Sequence, residues 1–296
     1  MNMIQANGME LAYDSFGNEN DEAILLIAGL GTQMIRWTGA FCEQLATRGF
    51  RVIRFDNRDT GCSTHYSHYP AMDFNALAAA LMSGQRPDMP YTLDDMASDV
   101  IGLLDALEIE RAHAVGRSMG GMIAQLAAST YPDRILSLTS IMSTSGNPTL
   151  PQASPEVMGM MTAPGPSPLE DEAGFLVHSM AFAKRIAGTG YPFDEEAYRA
   201  LIREEVRRNY DPGTVGRQIA AIAVSGDRRP LLAAIQVPAL VIHGMDDPLF
   251  VPVCGEDTAS SIPGAELMLV EGMGHDLPHQ LYEQTIDAIE RTAHRS

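Results

Sequence analysis

Apolar residues along this chain follow two rhythms: short unbroken runs, and longer stretches in which they recur every third or fourth position. The clearest run is Ala23-Ile24-Leu25-Leu26-Ile27-Ala28, bounded by acidic residues before it and by Gly29-Leu30-Gly31 after it. No polar residue interrupts it, which suits a strand buried on both faces. Further strands are predicted over residues 51–55, 112–115, 135–142, 239–243 and 267–270. Helical spacing appears over 37–47, closed by Gly49, then over 92–107, over 122–128 and after Pro278. Thr92 and Asp95 fit a capping box at the start of the second of these helices. Ahead of the first buried run, Asn7-Gly8 parts two short segments within residues 3–16, a type I′ hairpin signal. Strands alternating with helices imply a mostly parallel, right-handed, doubly wound α/β sheet that opens with an antiparallel hairpin.

The alternation breaks between about Thr144 and Arg229. A loop rich in proline, glycine and serine, Ser145 to Pro168, leads into helical patterns near 169–187, 194–209 and 214–224, none flanked by a plausible strand. An all-helical insertion between two sheet strands is expected over their carboxyl ends, where open α/β sheets bind ligands. The expected organisation is therefore a core of residues 1–143 and 230–296 with an inserted helical cap over 144–229. A smaller loop insertion near 70–90 is expected to line the same mouth.

Composition narrows the partners more than the fold. The 296 residues are 45% hydrophobic and 20% charged, ordinary values for a chain that buries a core. A formal net charge of −18 repels phosphate backbones and anionic lipid surfaces, so neither nucleic acid nor a membrane is an expected partner. Residues Met1 to Gly8 show no basic, then apolar, leader pattern, and a cytoplasmic protein is expected. Cys42, Cys62 and Cys254 are far apart and form no C-x-x-C pair, so reduced structural thiols are expected.

The chemistry concentrates in Gly116-Arg117-Ser118-Met119-Gly120, a G-x-S-x-G sequence placed between the run 112–115 and the helix former 122–128. In that setting it reads as a nucleophile elbow, with glycine at 116 and 120 where a Cβ would crowd the turn. A serine hydroxyl needs a general base, and the base needs an orienting acid. Both are available at strand ends further along, in His243-Gly244-Met245-Asp246-Asp247-Pro248 and in Gly272-Met273-Gly274-His275. The glycines before His275 favour it as the base, since they allow a close approach to the nucleophile. His65, His68, His178, His279 and His294 read mainly as surface or cap residues, while His113 lies within a strand and His243 ends one. Pro248 forces an extended turn at Asp247 and aims that carboxylate away from the strand, leaving Asp246 as a solvated neighbour or local cap. Backbone N–H groups of Met119 and Leu30 are the candidate oxyanion donors. Gly29-Leu30-Gly31 is not a dinucleotide loop, because G-x-G-x-x-G is absent.

With these motifs in place, the chain resembles the α/β-hydrolase superfamily over essentially its whole length. The resemblance rests on Gly29-Leu30-Gly31, Asp56 to Ser63, Gly116 to Gly121, Gly244 to Pro248 and Gly272 to His275. Within the superfamily it is most similar to capped bacterial serine esterases of the aclacinomycin methylesterase type and to cofactor-free haloperoxidase-like members. That implies an α/β-hydrolase fold and hydrolysis of small to medium apolar or aromatic carboxylic esters through an acyl-enzyme, with no cofactor and no metal. C–C bond hydrolysis, perhydrolysis and a non-catalytic ligand-binding role are the alternatives on the same triad. Monomer and homodimer are both open.

Two residues depart from the family pattern. Arg117 stands where relatives often carry histidine or a small residue, and Asp59 where glycine is common. Arg117 binds a substrate carboxylate, lowers the basicity of His275, or points into the sheet edge and pairs with a protein carboxylate, while Asp59 and Arg58 are expected to pair or to cap their loop. Among 18 methionines, Met158, Met160 and Met161 lie at the expected cap entrance, and Met82, Met89 and Met119 near the expected pocket. Gly29, Arg117, Met158 and Met161 are the candidate pocket residues.

Overall fold

The computed structural model describes residues 1–296 apart from 71, 86 and 164. In chain order the elements are β1 (Asn2–Ala6), β2 (Met9–Phe16), β3 (Glu22–Ile27), α1 (Gly39–Ala46), β4 (Phe50–Phe55), α2 (Phe74–Met82), α3 (Leu93–Ala106), β5 (Ala112–Arg117), α4 (Met119–Thr130) and β6 (Ile135–Ile141). They continue through α5 (Pro155–Thr162), α6 (Glu172–Ile186), α7 (Glu195–Arg208), α8 (Thr214–Ser225), α9 (Arg229–Leu232), β7 (Ala239–Gly244), α10 (Pro252–Ser261), β8 (Glu266–Val270) and α11 (Tyr282–Ala293). The eight strands form one sheet in the order β1-β2-β4-β3-β5-β6-β7-β8. The pairs β1–β2 and β2–β4 are antiparallel, and the remaining pairs are parallel.

The unbroken apolar runs are explained by burial of both sheet faces. On β3, Leu25 and Ile27 join a core with α3 and α4, while the alternate residues Ile24 and Leu26 join a second core with α1 and α11. The β1–β2 turn has Asn7 at φ 49° and Gly8 at φ 78°, the left-handed pair that a type I′ turn requires. The capping box at Thr92 is formed in both directions, with Asp95 N 3.3 Å from Thr92 Oγ1 and Thr92 N 2.8 Å from Asp95 Oδ2.

Three expectations change. The loop expected over 145–168 contains α5, because Ser154 caps the Val157 N–H at 3.3 Å and Pro155 supplies a preset φ at the first helical position. The insertion near 70–90 contains α2, capped by Asp73, and none of its described residues borders the large cavity; α2 packs against α8 instead. Arg58 and Asp59 do not pair with each other, although Asp59 does cap their loop, its Oδ1 accepting from Tyr66 N at 3.0 Å. Arg58 binds Asp99 at 2.6 Å, and Asp59 binds Arg217 of α8 at 2.6 and 2.8 Å. Asp59 itself lies at φ 66°.

The order β4-β3-β5 is the sheet's reversal point. The chain leaves β3 for β4 on one side and returns to place β5 on the other, so the loops after β3 and β5 diverge and leave a crevice at their carboxyl ends. Residues 29–32 and Ser118 occupy those two loops. Helices α5 to α8 all fall between β6 and β7 in sequence. No helix among the described residues is long and apolar enough to cross a membrane.

Candidate active site

Ser118 sits between β5 and α4 with φ 54° and ψ −122°, a conformation that costs a non-glycine residue on the order of 1–3 kcal/mol. The surrounding glycines make the turn possible. A Cβ on Gly116 would lie 2.0 Å from the Gly120 carbonyl oxygen, and one on Gly120 would lie 2.2 Å from the Ile27 oxygen. Ser118 N donates to Ile141 O at 2.9 Å, and the Ser143 hydroxyl donates to Ser118 O at 2.8 Å, fixing the turn from β6.

His275 Nε2 lies 2.9 Å from Ser118 Oγ, and His275 Nδ1 lies 2.7 Å from Asp247 Oδ2. The second Asp247 oxygen accepts from the N–H groups of Leu249 and Phe250 at 2.8 and 2.9 Å. An ionised carboxylate is only an acceptor, so Nδ1 carries the proton in this pairing and Nε2 faces the serine hydroxyl with its lone pair. Asp247 is 2% exposed, which keeps its charge from being screened by water.

The candidate oxyanion donors are free. Neither Leu30 N nor Met119 N donates to a protein acceptor among the described residues, whereas Gly31 N and Ser118 N do. Gly31 N donates to Gln218 Oε1 at 2.7 Å, and the Gln218 amide donates to Thr60 Oγ1 at 2.9 Å. This fully buried glutamine from α8 therefore fixes the loop that carries Leu30. Nothing near Gln218 in sequence announces that role, because its partners are about 160 to 190 residues away. At Gly29 a Cβ would lie 3.3 Å from Ser118 Cβ, a tight contact.

These groups open onto a cavity of about 760 Å³. Of the expected pocket residues, Gly29, Arg117, Met158 and Met161 border it, and so do Leu30 and Met160. Met82, Met89 and Met119 do not. Met82 is 91% exposed at the end of α2, Met89 packs on the α3–α4 core, and Met119 is buried beneath the elbow. Met122 and Met142 border the cavity in their place. His178 of α6 also borders it, and His65 is half-buried between Asp59 and Asp211 rather than at the surface.

Arg117 does not pair with a carboxylate. No acid among the described residues lies within ion-pair distance of it; its Nη1 reaches Arg36 O at 3.4 Å, and its guanidinium lies 5.6 Å from the Trp37 ring centroid. Burial holds its pKa below the usual arginine range, and the field of Asp276 partly offsets this. Its neighbour Arg36 is neutralised by Glu205 at 2.8 Å and bound to the Tyr198 hydroxyl at 2.6 Å. Arg117 thus borders the cavity with no carboxylate partner among the described residues.

The glycines ahead of His275 serve a different contact from the one expected. A Cβ on Gly274 would meet Ile186 O at 2.2 Å and Gly188 N at 2.3 Å, so the room is taken by the end of α6, not by Ser118. Asp246 accepts from the N–H and hydroxyl of Thr189.

A doubly wound sheet with a hydroxyl, imidazole and carboxylate in line at its reversal point is the architecture of α/β hydrolases. The chain belongs to the alpha/beta hydrolase fold family, which matches residues 22–280. It is 33% identical to rhodomycin D methylesterase DauP of Streptomyces sp. (strain C5), covering 97% of this chain and 96% of that protein. It is 31% identical to rhodomycin D methylesterase DnrP of Streptomyces peucetius, with 97% and 96% covered. Among solved structures, the enol-lactonase from Burkholderia xenovorans LB400 superposes with a TM-score of 0.70 at 26% identity, over 98% of this chain and 97% of that one.

Proposed function

We propose that this protein hydrolyses carboxylic esters through an acyl-enzyme formed on Ser118. The observation that carries the reading is the continuous hydrogen-bonded line from Ser118 Oγ through His275 to buried Asp247, opening onto the cavity. The likeness to two methylesterases over nearly the whole chain supports ester chemistry and a small alcohol leaving group.

In the first half-reaction Ser118 Oγ attacks the ester carbonyl carbon while His275 Nε2 takes the hydroxyl proton. Asp247 stays ionised and stabilises the imidazolium through Nδ1. The Leu30 and Met119 N–H groups donate to the oxyanion, a contribution of about 2.7–4 kcal/mol per donor in comparable sites. Collapse breaks the bond to the alcohol oxygen, which receives the proton from His275. Water then repeats the sequence on the acyl-serine and releases the acid.

Helices α5 to α8 act as the cap over this site in our reading, with their methionine, Phe182 and Val215 side chains accepting an apolar or aromatic portion of the ester. Arg117 supplies free donors for an oxygen of that substrate beyond the scissile carbonyl. The reading is tested by turnover of p-nitrophenyl acetate and of aromatic methyl esters by the purified protein. Ser118→Ala is expected to keep the fold and lose roughly 10⁴-fold or more of that turnover. Near-full residual activity in the variant would place the nucleophile elsewhere.

A further inference from the structure

The end of α6 is bonded directly to the two loops that carry His275 and Asp247. His275 N donates to Ile186 O at 2.6 Å, and Gly274 N to Ala187 O at 3.2 Å. These are carbonyls at a helix C-terminus, which have no partner within their own helix. Gly190 N then donates to Gly272 O at 2.9 Å, so residues 186–190 run along the base loop through three backbone bonds. The same segment grips the acid loop, because Thr189 donates from its N–H at 3.1 Å and from its hydroxyl to Asp246, the residue preceding Asp247. Asp246 N in turn donates to Met273 O at 2.9 Å, closing the triangle.

Packing here is too close for any side chain. A Cβ on Gly188, whose φ is 85°, would fall 2.4 Å from Gly274 N; one on Gly190 would fall 2.6 Å from Gly272 Cα. One on Gly272 would fall 2.5 Å from Gly190 Cα. The backbones interlock with no intervening atoms, so a shift of one segment displaces the other.

We infer that residues 186–190 of the helical insertion are a positioning clamp for catalysis, setting the distance between His275 and Asp247 by holding both of their loops at once. This rests on the reading of Ser118, His275 and Asp247 as the reacting groups. The insertion is thereby fixed to the catalytic loops at this end. Ile186 has two separate roles: its carbonyl accepts from His275 N, and the residue borders the cavity.

Steady-state kinetics of the full-length protein on one ester test the clamp. Gly188→Ala is expected to lower kcat roughly 10- to 100-fold with KM held within about twofold, because misplaced groups slow the chemistry without removing substrate contacts. Thr189→Ala is expected to lower kcat in the same way by a smaller factor, and Thr189→Ser, which keeps the hydroxyl, to restore it. Ile186→Ala, which keeps the carbonyl, is expected to raise KM for bulky esters instead. A folded Gly188→Ala protein with wild-type kcat, or a change confined to KM, would overturn the proposal. If Gly188→Ala fails to fold, the Thr189 pair decides: equal kcat in Thr189→Ala and wild type overturns it. Failure of the underlying reading gives a different result, an active Ser118→Ala protein.

Discussion

Asp59 and Arg217 form a bidentate pair, Nε to Oδ2 at 2.6 Å and Nη2 to Oδ1 at 2.8 Å, with neither side chain more than 2% exposed. The Tyr91 hydroxyl adds a third bond to Asp59 at 2.6 Å, and Asp211 shares the arginine at 2.9 Å. The pair ties the loop after β4 to α8, the helix that also carries Gln218. Removing one partner leaves the other charge buried and uncompensated. Arg217→Ala is therefore expected to lower stability by about 3–5 kcal/mol. Urea denaturation of wild type and variant measures this, and a loss below about 1 kcal/mol would show that water or a neighbouring group takes over the carboxylate.

Gln218 offers a way to loosen the loop that carries Leu30 without touching Ser118, His275 or Asp247. Gln218→Leu keeps the volume roughly constant and removes the acceptor of Gly31 N. With Leu30 N free to drift, kcat is expected to fall about tenfold or more while KM changes little. Steady-state kinetics on p-nitrophenyl acetate gives both numbers, and a rise in KM alone would mean that Gln218 shapes the pocket instead.

Arg117 is expected to act on binding. Hydrogen bonds to charged groups contribute about 1.5–3 kcal/mol, equivalent to roughly 10- to 100-fold in affinity. Arg117→Met should raise KM on that scale for aromatic esters bearing a second carbonyl or a carboxylate, and much less for simple alkyl esters. Equal effects on the two substrate sets would reduce Arg117 to a structural filler.

Acid sensitivity follows from two buried histidines. Burial holds His243 below its ordinary value of 6.5, against the opposing pull of the Phe250 carbonyl and Asp247, and burial likewise lowers His113. Below 6.5 the unfolded chain protonates these rings while the folded one does not, so unfolding takes up protons and stability falls as pH drops. Above that pH both states are neutral and the contribution is intact. Proton NMR should show the two rings titrating below 6.5, and titration at or above it would contradict the sign.

Much of the fold was legible because its signals are local. The strand runs survive burial on both faces only by being continuously apolar, and Asn7-Gly8 and Thr92 to Asp95 carry their geometry in two and four residues. The Ser118, His275 and Asp247 positions were legible for a related reason, since each follows a strand end in a short glycine- or proline-marked loop. Long-range partners were not. Arg217 for Asp59, Gln218 for Gly31 and Thr189 for Asp246 lie 57 to 187 residues away, and no spacing rule links them. The glycines at 272 and 274 were visible, but their purpose depends on what packs against them.

The acyl-enzyme on Ser118 is tested most directly by mass spectrometry of the protein quenched in acid during turnover of p-nitrophenyl acetate. An acetyl mass increase is expected on the peptide containing Ser118, absent from Ser118→Ala and strongly diminished when His275 is replaced by a residue unable to take the serine proton. Ester turnover with no adduct on that peptide, or an adduct on another residue that disappears with activity, would contradict it.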